Sequence, residues 1–195
     1  MSGLHLPMKF CSHCGATVSL AIPAGDTLPR HVCAGCGTIH YQNPKMVIGC
    51  IAEWEGRILL CRRAIEPRHG LWTLPAGFME NNETTAEAAA RETLEEACAE
   101  VDIGHLFALV NIPHIHQVHM FYTARLIDGH FGAGAESLES ALFDEADIPW
   151  PSMAFRSVSF ALRAWLEDRK KGHFGLHTTD LFPPPPNQVP PTPAG

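Results

Sequence analysis

A chain of 195 residues, 46% hydrophobic with a net charge of −7, has the size of one ordinary domain plus a small appendage. The acidic balance argues against general nucleic-acid binding, because a phosphate polymer would be repelled except at local basic patches. No run of about 18 apolar residues is there to span a membrane, and no basic-then-apolar leader marks the N-terminus for export, so no membrane contact and a reducing, cytoplasmic compartment are expected.

After a short lead, Cys11-Ser-His-Cys14 and Cys33-Ala-Gly-Cys36 form two C-x2-C pairs, with Gly15, Gly35 and Gly37 allowing turns in which backbone amides face the thiolates. Thiolates at this spacing suit one tetrahedral Zn²⁺ in a closed structural site. An iron–sulfur cluster is the other chemistry that four cysteines admit, and a reducing compartment disfavours a disulfide. The segment, residues 1–45, is too short for an apolar core, so the metal would supply its folding free energy. It looks like a zinc ribbon, with packing or homodimer formation as its expected role.

Residues 46–175 read as the main domain. Met46 to Trp54 and Arg57 to Arg63 are apolar strand-like runs joined by Glu55-Gly56, a two-residue hairpin signal. Cys50 and Cys61 inside them read as buried small hydrophobes. Arg62, Arg63 and Arg68 are either solvated charges or forks for a phosphate.

From Gly77 to Ala99 the chain turns to helix. Ala86, Ala88, Ala89 and Ala90 are strong helix formers, and Leu94 and Ala97 can share an apolar face. Thr84 or Thr85 can cap the start, with Glu87 placed for a capping box. Glu92, Glu95 and Glu96, at i, i+3 and i+4, project from one face, where like charges repel by roughly a few tenths of a kcal/mol per pair. Arg91 or a hard divalent cation must offset that repulsion.

Beyond the helix, Leu106 to Ile112 and Ile115 to Ile127 read as strands. His114, His116 and His119 fall between and within them without the geometry for one metal: on a strand His114 and His116 share a face and His119 points away. Gly129 to Gly134 is a Gly-rich loop with no helix behind it, so not a phosphate cradle. Ser152 to Lys171 reads as an amphipathic helix capped by Ser152. Residues 176–195 read as a Pro-rich disordered tail.

Gly77, Glu83, Arg91, Glu92, Glu95 and Glu96 at their spacings resemble the Nudix box. Two positions depart from it: Cys98 stands where a glycine is expected late in the box, and Thr93 where an apolar residue follows Glu92. A glycine there can take a left-handed helix cap, so Cys98 sets a cost of about 1 kcal/mol. The family's Gly-Gly is Ala76-Gly77 here. The resemblance implies an α/β fold, an α/β/α sandwich with a mixed sheet, preceded by the four-cysteine zinc ribbon. It implies an enzyme that uses Mg²⁺ or Mn²⁺ to cleave a nucleoside diphosphate linked to another moiety. Glu92, Glu95, Glu96 and a backbone carbonyl of Ala76 or Gly77 would be its ligands, and Glu83 would pair with Arg91 to hold the loop on the helix.

By spacing before Phe143, the resemblance places a further ligand or base on Glu139, with Glu136 as the alternative; the base stays open between Glu92 and Glu139. Arg62, Arg63, Trp72, Phe78 and His114 are the candidates for substrate contact, the aromatics by stacking. Ribbon plus box is similar to the NADH pyrophosphatase branch, and to short bacterial and plastid members for which FAD and ADP-ribose are implied, with NADH next. A non-catalytic, nucleotide-sensing regulator that uses the ribbon for DNA or protein contact is the other class, against which the intact set of carboxylates speaks.

Overall fold

The structure, a computed structural model, describes residues 8–183. The chain divides into two compact units, Met1–Pro44 and Lys45–Gly195. In the first, β1 (Val18–Ala21), β2 (Arg30–Cys33) and β3 (Ile39–His40) form an antiparallel sheet in that order. Phe10, Leu20, Ile22, Leu28 and Tyr41 are all exposed, while Cys11, Cys33 and His31 are buried. Burial in this unit gathers around the cysteines, as expected of a segment too small to hold an apolar core.

In the second unit, β4 (Lys45–Trp54) and β5 (Arg57–Arg63) form a hairpin. Its turn residues, Glu55 at φ 50° and Gly56 at φ 81°, are both left-handed, as a two-residue I′ turn demands. Beyond Glu53↔Ile58 the strands part. β6 (Trp72–Thr73) then pairs with the far end of β5, and β7 (Ala76–Phe78) pairs with Val47–Gly49 of β4. Leu74 and Pro75 therefore lie in the fork, so close to β4 that a Cβ on Gly49 would overlap the Pro75 carbonyl. This fork brings Ala76 and Gly77 up to α1 (Thr85–Ala97).

β8 (Val101–Ile112), β9 (Gln117–Leu126) and β10 (Ser137–Phe143) follow, then α2 (Arg156–Lys171) and β11 (His177–Asp180). The strands run in the order β10–β5–β4–β9–β8–β11, with β4–β9 and β8–β11 parallel and the other neighbours antiparallel. Both faces of the mixed sheet are covered, which explains why β4 and β5 read as nearly continuous apolar runs. Ile48, Cys50, Ala52, Leu59 and Cys61 pack with Ala88, Ala89 and Ala97 of α1. Their neighbours Ile51, Ile58 and Leu60 pack on the other face with Val158, Leu162 and Trp165 of α2. The architecture is thus helix, mixed sheet, helix.

Several elements differ from the sequence expectation. The second helix starts at Arg156 rather than Ser152. Trp150–Ser152 is a 3₁₀ turn, and the Ala154 amide is spent on the Trp72 carbonyl at 2.7 Å, so the backbone stays extended through Phe155. The helix ends at Gly172, left-handed at φ 68°. β8 begins at Val101, ahead of the expected Leu106, and β9 begins only at Gln117 because Pro113–Ile115 coils into a 3₁₀ turn closed by left-handed His116. Residues 177–180, assigned to a disordered tail, are a strand. Asp168 Oδ2 anchors it, accepting from His177 Nε2 at 2.7 Å and from the Gly175 amide at 3.0 Å, and Asn111 Nδ2 donates to Asp180 Oδ1. The remainder of that expected tail, residues 184–195, and the lead at 1–7 lie outside the described residues.

Candidate active site

Helix α1 is built for its ends. Thr84 Oγ1 accepts from the Glu87 amide at 3.2 Å, and Glu87 Oε2 accepts from the Thr84 amide at 2.7 Å, a closed capping box. At the other end Cys98 takes the left-handed cap itself, at φ 48°, its amide donating to the Leu94 carbonyl. Thr93, fully buried, satisfies its hydroxyl on the Ala89 carbonyl at 2.8 Å and lies 3.0 Å from Cys50 Sγ. Burial pushes the thiols of Cys50 and Cys61 up to about 12, so both stay protonated and inert.

Arg91 is the hub of the acidic face. Its Nε and Nη2 clamp both oxygens of Glu83 at 2.9 and 2.7 Å, Nη1 meets Glu92 at 2.8 Å and Glu95 at 3.0 Å, and Nη2 also donates to the Phe78 carbonyl. Glu83, which also accepts from the Glu80 amide, is lowered to about 2 by the Arg91 hydrogen bonds. Glu96 turns the other way and accepts from the Ala76 amide at 3.0 Å. A Cβ on Gly77 would land on the Glu92 carboxylate, so any other residue here would displace that carboxylate from its place against the loop. Burial raises Glu92 against the pull of Arg91, and lifts Glu96 to about 7 against the Ala76 amide and the Arg63 charge, with Glu136 adding to both. Two desolvated carboxylates, an exposed third and abutting loop backbone supply the hard oxygen donors that a divalent cation takes, while among the described residues it is the four cysteines that are already gathered within 4.8 Å of one another.

Glu139 does not join this set. It lies opposite Arg62 on exposed β10, with Oε2 3.7 Å from Arg62 Nη1. A bulge between Ser137 and Glu139 shifts the strand register, and it is the charge of Glu136 that bears on Glu92 and Glu96. The Gly-rich loop carries Glu136 there. Gly132 and Gly134 donate to the carbonyls of Ala97 and Glu96 at the end of α1, and a Cβ on Gly134 would overlap the Glu95 carbonyl. Spacing before Phe143 favoured Glu139 and kept Glu136 as the alternative, and the run of glycines was the sequence signal for the docking.

The other candidates scatter. Arg62 Nε donates to the Gly70 carbonyl at 3.0 Å; Arg63, buried, donates to the Pro67 carbonyl at 2.9 Å and stacks over Phe155. Both guanidiniums brace loop 64–71. Trp72 packs edge-on against Phe143 in the α2-side core. Phe78 is exposed under Lys45 Nζ at 4.9 Å. His114 is exposed in the 3₁₀ turn. The expected strand pairing of His114 and His116 is broken by that turn, and His119 is buried on β9 between Ser157 Oγ and Gln117 Oε1, both at 2.9 Å.

In the first unit the Sγ atoms of Cys11, Cys14, Cys33 and Cys36 all lie within 4.8 Å of one another. Cys11–Cys36 at 3.7 Å and Cys14–Cys33 at 3.4 Å are far too long for disulfides. They approach the sulfur–sulfur edge of about 3.8 Å that a tetrahedron with Zn–S near 2.3 Å requires. The amides of His13 and Cys36 donate to Cys11 and Cys33 at 3.4 Å, so the donor set fits Zn²⁺.

Comparison with known proteins agrees with both units. The family model described as Nudix N-terminal matches residues 9–42, and the NUDIX domain model matches residues 43–162. The crystal structure of a NUDIX hydrolase from Nitrosomonas europaea is 56% identical, with a TM-score of 0.85 over 89% of this chain and 100% of that one. An ADP-ribose pyrophosphatase from Methanocaldococcus jannaschii is 30% identical over 113 residues, 56% of this chain and 67% of that protein. The NAD-capped RNA hydrolase NudC of Chromobacterium violaceum is 29% identical over 161 residues, 78% of this chain and 58% of that protein. The chain thus spans between a third and two thirds of the length of the curated relatives it matches.

Proposed function

Since the chain belongs to the Nudix family, we propose that it is a pyrophosphohydrolase that uses a divalent cation, Mg²⁺ or Mn²⁺, to cleave the diphosphate of a nucleoside diphosphate-linked compound. The observation that carries this reading is the Gly77 backbone seated against the Glu92 carboxylate, with Glu96 held on the Ala76 amide beside it. Glu92, Glu95 and Glu96, with a carbonyl of Ala76 or Gly77, would hold the cation. When bound, it would lower the pKa of water and shield the phosphate charge.

The protein's own groups do the rest. Arg91, fastened to Glu83, fixes Glu92 and Glu95 on the helix face and neutralises part of their repulsion. Glu92, raised by its burial, suits a general base, and Glu136, whose charge bears on Glu92 and Glu96, is the other acid assigned to taking the proton of the attacking water. That water displaces one phosphate from the other in line. Glu139, tied to Arg62 at the strand edge, is not assigned this role.

ADP-ribose is the favoured substrate, following the archaeal relative, and an NAD-type dinucleotide the next, following the NudC relatives. FAD belongs in the same panel. The test is phosphatase-coupled release of phosphate from ADP-ribose, NADH, NAD, FAD and an NAD-capped RNA, with Mg²⁺ or Mn²⁺. Turnover of one compound with cation dependence is expected. Folded, metal-replete protein that turns over none of them would overturn the enzyme reading and favour the regulator.

A further inference from the structure

We propose that His40 is a positioning residue of the four-cysteine centre, its Nε2–H donating to Cys11 Sγ. This rests on the reading of Cys11, Cys14, Cys33 and Cys36 as zinc ligands. His40 Nε2 lies 3.3 Å from Cys11 Sγ. A thiolate bound to zinc carries no proton, so the hydrogen in that contact must come from the imidazole.

The sheet sets up the contact. β2 and β3 pair in a register that places His40 directly opposite His31. His31 and Cys33 are two apart on β2 and both buried, so they share a face, and His40 stands on that face beside the metal ligands. Cys11 is the buried member of its knuckle. It receives the His13 amide from one direction and His40 from the other. The remaining donors are spread over other sulfurs: the Cys36 amide reaches Cys33, and Thr38 Oγ1 lies 3.0 Å from Cys36 Sγ.

Four thiolates on one Zn²⁺ leave two surplus negative charges, and N–H donors disperse them and orient the ligands. The His40 imidazole is within hydrogen-bond distance of a ligand sulfur. It contributes a donor from a separate strand, thereby tying β3 to the knuckle of Cys11. Without it, Cys11 would lose a donor that orients it and disperses its charge, and would leave the metal sooner.

The experiment compares full-length wild type, H40A and H40Q, since the Gln amide can reach the place of Nε2. Zinc content is measured first, then transfer of zinc to a chromophoric chelator, and the thiolate-to-metal charge-transfer band after exchange with Co²⁺. All four tryptophans (Trp54, Trp72, Trp150, Trp165) lie in the second unit, so their fluorescence controls for its folding independently. H40A should release zinc roughly tenfold faster, with its band moved to lower energy, as loss of an outer-shell partner does. H40Q should restore both. An H40A protein with wild-type release and an unmoved band would overturn the proposal, as would H40A and H40Q releasing equally fast with unmoved bands, which marks packing alone. Wild type that carries no zinc would instead overturn the underlying zinc reading.

Discussion

Glu96 shows how one residue can serve the site and work against the metal-free fold. Burial lifts it to about 7, whereas in the unfolded chain it ionises near its ordinary 4.5. A folded pKa above the unfolded one means the folded state prefers the protonated acid. Stability from this group is therefore full below pH 4.5 and lost as pH rises through about 7. Glu96→Gln should thus raise the stability of the protein in chelator at pH 8 by of order 2–3 kcal/mol, seen in thermal melts. Turnover with Mg²⁺ or Mn²⁺ should fall by roughly 100-fold or more in the same variant. A variant that loses activity and stability together would show that Glu96 supports the fold rather than a cation. The six box residues were legible because their spacing is set by one helix and one loop. Glu136 was legible only as the alternative to Glu139, because a bulge in β10 breaks the count on which Glu139 rested.

Among the elements, α1 was legible at both ends. The Thr84–Glu87 box forms, and Cys98, the residue that departs from the family pattern, adopts the left-handed conformation that the missing glycine would have taken. The backbone requirement outranks the side-chain preference, because the cap amide must still reach the Leu94 carbonyl. Cys98→Gly should therefore stabilise the protein by about 1 kcal/mol in urea unfolding, with turnover unchanged. An unchanged midpoint would mean that Cys98 is not strained. The start of α2 was misread because Ser152 looks like a cap in sequence, while the Ala154 amide is drawn to the Trp72 carbonyl of β6. Nor could β11 be foreseen. His177-Thr-Thr-Asp180 has no strong pattern of its own, and the strand exists because Asp168 holds His177 beside the open edge of β8.

For the whole molecule, the two units are stabilised by different means. The second has apolar cores on both faces of its sheet, drawn entirely from residues after Pro44. The first leaves Phe10, Leu20, Ile22, Leu28 and Tyr41 exposed and buries little beyond Cys11, Cys33 and His31. Metal removal should therefore act on one unit only. A strong chelator should make buried Cys11 and Cys33 reactive towards thiol reagents, while tryptophan fluorescence and the main thermal transition stay as they were. Loss of both signals together would show that the ribbon's metal sustains the second unit as well.

At that scale the sequence determined what depends on short spacing: two C-x2-C pairs, a hairpin signal, and a capped helix with three carboxylates on one face. Each is local, because residues within a turn or a knuckle meet wherever the rest of the chain goes. The tertiary structure decided what depends on register and close approach. The fork between β4 and β5 set Gly77 against Glu92, the bulge and glycine loop placed Glu136 beside the box, and Arg62 and Arg63 were turned to brace a loop, with the Arg63 charge still bearing on Glu96. Contacts of that kind join residues far apart in the chain, and a linear spacing carries no record of which strand will lie beside which.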